Sequence, residues 1–113
     1  MKTKYKIYIA QFISFFLRPF FSKKHIFVRN GIKWNLDLNE GIDLSIFLFG
    51  TSEKKIKNIK KFFKLNKKIT VIDIGANIGS ISLPIAKMFP KSKIYSIEPT
   101  TYAFKKLTTN LHL

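Results

Sequence analysis

The residues of this chain best suited to chemistry lie in one short run, V-I-D-I-G-A-N-I-G-S at residues 71–80, and at one acid beyond it, Glu98. A β-branched apolar segment carrying Asp73 breaks at Gly75, and Ala76, Asn77 and Gly79 follow before apolar residues resume. Glycines at such a break permit a sharp turn and leave no side chain between backbone and ligand. Beyond it, Ile78, Ile81, Ile85, Ala86 and Phe89 recur at helical spacing. A helix starting near Gly79 would aim its unpaired N–H groups at whatever fills the turn. Lys93 to Ile97 then reads as a second strand, closed by Glu98-Pro99. Strand, glycine turn, helix and strand make a βαβ unit, whose right-handed crossover puts the turn at the carboxyl edge of a parallel sheet. Glu98 follows Gly79 by 19 residues, close to the roughly 20 expected of an acid that accepts from ribose hydroxyls.

The turn also bears on which ribose-bearing molecule would sit there. A dinucleotide fold wants G-x-G-x-x-G, with a second glycine where backbone meets pyrophosphate. Here G-A-N-I-G-S places Asn77 at that point, which counts against a nicotinamide cofactor. Asp73, two residues before the first glycine, suits a positively charged ligand better than a diphosphate. S-adenosyl-L-methionine, with its sulfonium and amino group, fits. The expected cofactor residues are therefore Asp73, Gly75, Ala76, Asn77, Gly79 and Glu98. Methyl transfer from a sulfonium mainly requires alignment, and no side chain stands out as a catalytic base.

The elements that must position these residues begin upstream. Residues 1–24 read as a basic amphipathic helix, with Lys2, Lys4 and Lys6 before the apolar run Ile7 to Leu17 and Arg18, Lys23 and Lys24 after it. That run is too short to span a bilayer, and no small-residue cleavage site follows it. It suits either an interfacial helix or one packed on the domain. Residues 25–68 form a lead-in. Asn30-Gly31 between alternating runs predicts a β-hairpin, with Ile32, Trp34, Leu36 and Leu38 on one face of its second strand. Glu40 to Phe49 is a short apolar segment ending at Gly50. Thr51 or Ser52 caps the next helix, whose apolar stripe is Ile56, Ile59, Phe62 and Phe63. Residues 69–113 form the βαβα unit. Its first strand, Ile69 to Ile74, is expected to be buried on both faces. Pro84 falls near enough to the helix start to be tolerated, and Pro90 ends that helix. Thr100 or Thr101 caps a last helix with Phe104, Leu107 and Leu111 as its stripe.

Composition narrows the class. The chain has 113 residues, 46% hydrophobic and 15% aromatic, so it is a globular domain at the small end of the range. It has no cysteine, and its two histidines, His25 and His112, lie far apart, so no metal site is expected. The net charge is +15, yet nineteen of the 21 basic residues are lysine. Phosphate and groove readers lean on arginine, and Ile, Lys and Asn share A/T-rich codons. The lysines of the helix after Gly50 therefore read as a solvated face, and no specific nucleic acid is expected as a partner.

With these residues in view, D-I-G-A-N-I-G-S-I-S-L followed by Y-S-I-E-P resembles the cofactor half of FkbM-family methyltransferases. The upstream W-N-L-D-L-N-E-G-I-D-L-S-I-F-L-F-G-T-S-E is similar to the segment leading into that domain. The resemblance covers roughly residues 25–111. It implies a partial Rossmann-like α/β fold and O-methyl transfer from S-adenosyl-L-methionine to a sugar or other small-molecule hydroxyl. It places Asp73, Gly75, Asn77 and Gly79 around the methionine end and Glu98 on the ribose; Glu53 matches an acid of the family without a defined role. A full sheet of this kind has six or seven strands from two halves. The expectation is therefore an incomplete chain, marginal and inactive alone, with exposed sheet faces. The expected setting is the cytoplasm, with peripheral membrane contact through residues 1–24. The competing readings are a fragment of an NAD-dependent oxidoreductase, and a basic membrane or nucleic-acid binding module.

Overall fold

In the computed structural model the described residues are 25–113 apart from 52 and 65, with 5, 8, 9, 12, 13, 15 and 16 from the N-terminal stretch; for 53–55 only the backbone is described. The seven N-terminal residues are helical, and the rest of the 1–24 segment lies outside the described residues.

Asn30 and Gly31 both take positive φ, 52° and 67°, the conformation a two-residue type I′ turn demands. They join β1 (His25–Arg29) to β2 (Ile32–Leu36) as an antiparallel hairpin, with Phe27 opposite Trp34. The period-two face closes over a core as expected: Trp34, Leu36 and Leu38 are buried and Ile32 is half-buried. The apolar segment that follows is a helix, α1 (Gly41–Phe49), which ends where Gly50, at φ 69°, donates its N–H to the Ile46 carbonyl. Leu44 and Ile46 of α1 join Trp34, Leu36 and Leu38 in one cluster. Ile78, from the glycine turn, completes it. The lead-in and the βαβα unit thus share a core rather than meeting at a linker.

α2 (Glu53–Phe62) buries less than its pattern suggests. Ile56 is buried and Ile59 half-buried, whereas Phe62 and Phe63 are exposed. Burial is confined to the early part of the helix, where Ile56 lines a groove with Ile32, Pro84 and Met88.

β3 (Thr70–Ile74) and β4 (Lys93–Ile97) pair in parallel, Asp73 opposite Ser96 and Ile74 opposite Ile97. α3 (Ser82–Met88) connects them, and α4 (Thr101–Leu111) follows β4. The expectation that the first strand is buried on both faces does not hold. Ile72 and Ile74 are 63% and 80% exposed, and Tyr95 and Ile97 beside them about half. The cause is topological. α3 and α4 lie on the same side of the sheet, where Ser82, Ala86, Phe104 and Leu107 face Ile94 and Ser96 across a shallow groove. Parallel sheets normally carry cover on both faces; here none of the described residues covers the second face.

α4 departs from its predicted stripe as well. Ala103, Lys106, Leu107 and Asn110 point inward, while Phe104 and Leu111 are half exposed. Polar residues can occupy a buried helix face when each finds a partner, and these do. Asn110 accepts from the Asn35 N–H through Oδ1 at 2.7 Å and donates to the Ile78 carbonyl at 3.0 Å. Lys106 pairs with Asp43 of α1, whose carboxylate also accepts from the Asp37 N–H at 2.7 Å. The lead-in is bolted to α4 and the glycine turn by these contacts. Among the described residues no helix is long and apolar enough to cross a membrane.

Candidate functional site

The parallel pairing places the glycine turn and Glu98 side by side at the carboxyl edge of the sheet. Gly75 and Ala76 both donate their N–H to the Ile97 carbonyl, at 2.9 and 3.0 Å, so the turn hangs on the end of β4. Gly75 has φ 76°, and a Cβ built on it would meet nothing within 4 Å. The residue lies at an open mouth, as a turn that lets a ligand reach the backbone should. Gly79 differs: at φ 94°, its Cβ would lie 3.1 Å from both Leu107 and Leu83 side chains. Its missing side chain therefore serves the packing of α3 and α4 beneath the turn. We expect Gly79→Ala to destabilise the fold by about 1–3 kcal/mol through left-handed strain and overpacking, read as a lower urea midpoint.

Asn77 takes φ 50°. Asparagine tolerates the left-handed region better than other residues with a side chain, so it can stand where a dinucleotide fold has glycine. Its N–H donates to Glu98 Oε2 at 2.9 Å. Glu98 Oε1 accepts from the Thr100 N–H at 2.9 Å and the Thr100 hydroxyl at 2.6 Å. The Thr100 bonds, side chain first, hold the Glu98 carboxyl below its ordinary value of 4.5; Asn77 adds to this against a small opposing effect of desolvation. A carboxylate offers about four acceptor positions. Three are filled, so Glu98 is pre-oriented, with one position left on Oε2 for an incoming hydroxyl. A second ribose hydroxyl would have to displace Thr100.

Thr100 is the N-cap of α4, as the sequence suggests, but its hydroxyl is spent on Glu98 and caps nothing. The expected helix N-terminus at the turn is also displaced. α3 has seven residues and begins at Ser82, because residues 77–81 are taken up in turns. The N–H groups of Gly75, Ala76, Asn77 and Gly79 all bond within the protein. The turn therefore offers shape and charge rather than a row of free amides.

Asp73 points under the turn. The Ser82 hydroxyl donates to its Oδ2 at 2.6 Å, and the hydroxyls of Ser82 and Ser96 are also 2.6 Å apart. Ser82 has one proton and gives it to Asp73, so Ser96 must be the donor in the second bond. This chain of three ties β3, α3 and β4 together. The Glu53 side chain lies outside the described residues.

Sequence reasoning missed a second wall of the site. A cleft of about 410 Å³ opens beside Asn77 and Thr100, lined on its far side by Glu40 and Asp43 of the lead-in and by Tyr102 and Lys106 of α4. The Tyr102 hydroxyl donates to Glu40 Oε1 at 3.4 Å. Desolvation, with smaller effects from the negative charge of Glu40, Asp37 and Asp43, pushes that hydroxyl's pKa upward. No local pattern announces this wall, because its members lie some 60 residues apart in sequence and meet only when α1 packs on α4.

The architecture is the first part of a Rossmann-like α/β fold: a parallel β-α-β-α run with its glycine turn and terminal acid at the ligand edge. No family model matches the chain. Over 88 residues it is 36% identical to the tRNA(Phe) (4-demethylwyosine(37)-C(7)) aminocarboxypropyltransferase of Pyrococcus horikoshii; the match covers 78% of this chain and 29% of that protein. Among solved structures it is similar to P. horikoshii TYW2 in complex with MeSAdo, with a TM-score of 0.56 and 32% identity over 80% of this chain and 31% of the other. A second P. horikoshii structure, described as a transferase, gives a TM-score of 0.54 and 30% identity over the same shares. The chain thus spans under a third of the length of the relatives it matches.

Proposed function

We propose that this chain is the cofactor-binding portion of an S-adenosyl-L-methionine-dependent transferase. The observation that carries the reading is the bond from the Asn77 N–H to Glu98. It brings a carboxylate with one acceptor position left to the mouth beside Gly75, where a Cβ would meet nothing. That arrangement accepts a ribose hydroxyl and leaves room for the adenosyl group. The likeness to a structure holding MeSAdo supports it independently. Bound there, S-adenosyl-L-methionine would supply an activated carbon next to sulfur. The chain's residues would hold the ribose at Glu98, fit backbone against the ligand at Gly75 and Asn77, and present negative charge to a cation from Asp73.

Two readings of the transferred group remain. The FkbM resemblance implies a methyl group passing to the oxygen of a sugar or other small molecule. The P. horikoshii relative favours transfer of the aminocarboxypropyl arm, and with it a tRNA base as acceptor. In the second case the bond from sulfur to the arm breaks with its electron pair left on sulfur, a bond from the arm to the acceptor forms, and the acceptor's proton passes to solvent. The residues described here hold the adenosyl half common to both. Membrane contact through residues 1–24 remains part of the proposal; most of that segment lies outside the described residues. Calorimetric titration of the chain with S-adenosyl-L-methionine and with NAD tests the central reading. Saturable binding of the first and none of the second is expected; preference for NAD would overturn it in favour of an oxidoreductase.

A further inference from the structure

The described residues of the N-terminal segment, 5, 8, 9, 12, 13, 15 and 16, are helical and take no part in the cofactor site. Six of them are large, apolar and open to solvent: Tyr5, Tyr8, Ile9, Phe12, Phe15 and Phe16 are 39% to 73% exposed. With about 3.6 residues per turn, these six positions fall within one arc of about 120°. Ile13, next to the arc, is half-buried. The Phe16 ring centroid lies 5.2 Å from that of Phe12 and 5.7 Å from that of Phe15, so these rings form a continuous patch. Between these positions the sequence holds Lys6, Ile7, Ala10, Gln11 and Ser14, of which only Ile7 is large and apolar. Single exposed apolar side chains are ordinary, but a contiguous exposed patch marks an interaction surface.

Charge decides which partner fits. Residues 1–24 hold six basic residues, Lys2, Lys4, Lys6, Arg18, Lys23 and Lys24, and no acid; the first acid of the chain is Asp37. All of these but Lys6 lie beyond the two ends of the patch. A second copy of the chain would bring the same net charge of +15 against it. A bilayer with anionic headgroups complements both features: its acyl boundary receives the rings, and its phosphates receive the basic ends. The apolar run Ile7 to Leu17 is too short to span a bilayer, so the helix would lie in the plane of the interface. We infer that the arc from Tyr5 to Phe16 is the surface by which the chain lies on an anionic phospholipid bilayer. Phe12 and Phe16, near the middle of the arc, enter the acyl boundary. This gives the membrane contact proposed for residues 1–24 its residues, its orientation and its lipid class, and it is independent of the cofactor mouth beside Gly75.

The test is co-sedimentation of the full 113-residue chain with vesicles of phosphatidylcholine alone and of phosphatidylcholine mixed with phosphatidylglycerol. At low salt we expect the anionic vesicles to bind at least about tenfold more tightly, with the preference eroding as salt rises. The double variant Phe12→Gln, Phe16→Gln should bind them about 10- to 100-fold more weakly, because two rings no longer leave water. Equal uptake by both vesicle types, uptake by neither, or full binding by the double variant overturns the inference. Phe12→Trp gives a second readout. The natural Trp34 is fully buried and supplies a constant background, so anionic vesicles should shift the new emission to shorter wavelength. Co-sedimentation without that shift would put the contact on another surface and overturn the assignment. A larger response to polyuridylate than to the vesicles would overturn it in favour of single-stranded nucleic acid. Ile74→Lys, on the exposed sheet face, should leave vesicle binding unchanged; a loss there would move the contact to the sheet. The double variant should bind S-adenosyl-L-methionine as its parent does, so the membrane and cofactor readings fail separately.

Discussion

Asp43→Ala should destabilise the chain by about 3–5 kcal/mol, the usual consequence of leaving one member of a buried ion pair alone. Asp43 is 1% and Lys106 7% exposed, so the change leaves a largely buried ammonium without its counter-charge. The Asp37 N–H loses its acceptor in the same change. Small domains have about 5–15 kcal/mol of stability in all; here Ile72 and Ile74 are exposed on one sheet face, and this pair links α1 to α4. Urea denaturation followed by circular dichroism should show the variant largely unfolded without denaturant. The double variant Asp43→Leu, Lys106→Met should recover most of the loss, because an apolar pair of similar volume removes the desolvation problem. A single variant as stable as its parent would show that the lead-in and the βαβα unit do not lean on each other here.

Glu98→Ala should weaken S-adenosyl-L-methionine binding roughly 10- to 100-fold, since it removes the ribose acceptor and frees the Asn77 N–H that shapes the turn. The same carboxylate contributes to folding with a definite pH dependence. Its pKa is lowered in the folded state; a depressed acid stabilises the fold fully above its unfolded value and loses that contribution as pH falls through the folded one. The stability difference between parent and Glu98→Ala should therefore be constant at neutral pH and shrink only below the ordinary value of 4.5. A difference that changed between pH 6 and pH 8 would mean that a group other than Glu98 is responsible. Unaltered cofactor affinity in the variant would remove Glu98 from the site.

The parts of this molecule legible in sequence are those set by short-range geometry. Asn30-Gly31 announced a hairpin because two consecutive positive φ angles leave few other residue choices. Asp73, Gly75, Asn77 and Glu98 announced a βαβ ligand edge because a turn and an acid at that spacing have one natural arrangement in a parallel sheet. The misreadings share another cause. Phe104 and Leu111 were expected inward because they are apolar, yet Lys106 and Asn110 hold that position through partners 63 and 75 residues upstream. Ile72 and Ile74 look like residues covered on both sides, and none of the described residues covers their face. Hydropathy records what a side chain prefers; whether a partner or a cover is present is a property of the assembled fold. The Glu40 and Tyr102 wall was invisible for the same reason, as was the shift of α3 to Ser82, which depends on how residues 77–81 turn.

The central claim is that the mouth between Gly75 and Glu98 receives the adenosyl end of S-adenosyl-L-methionine. Amide-resolved nuclear magnetic resonance during titration of the ¹⁵N-labelled chain addresses it most directly. Saturable shifts are expected, concentrated at Gly75, Ala76, Asn77 and Thr100, with Tyr102 following and the lysine-bearing face of α2 unmoved. Shifts confined to Lys57 and Lys60 on α2, or none at the glycine turn at saturating cofactor, would contradict it.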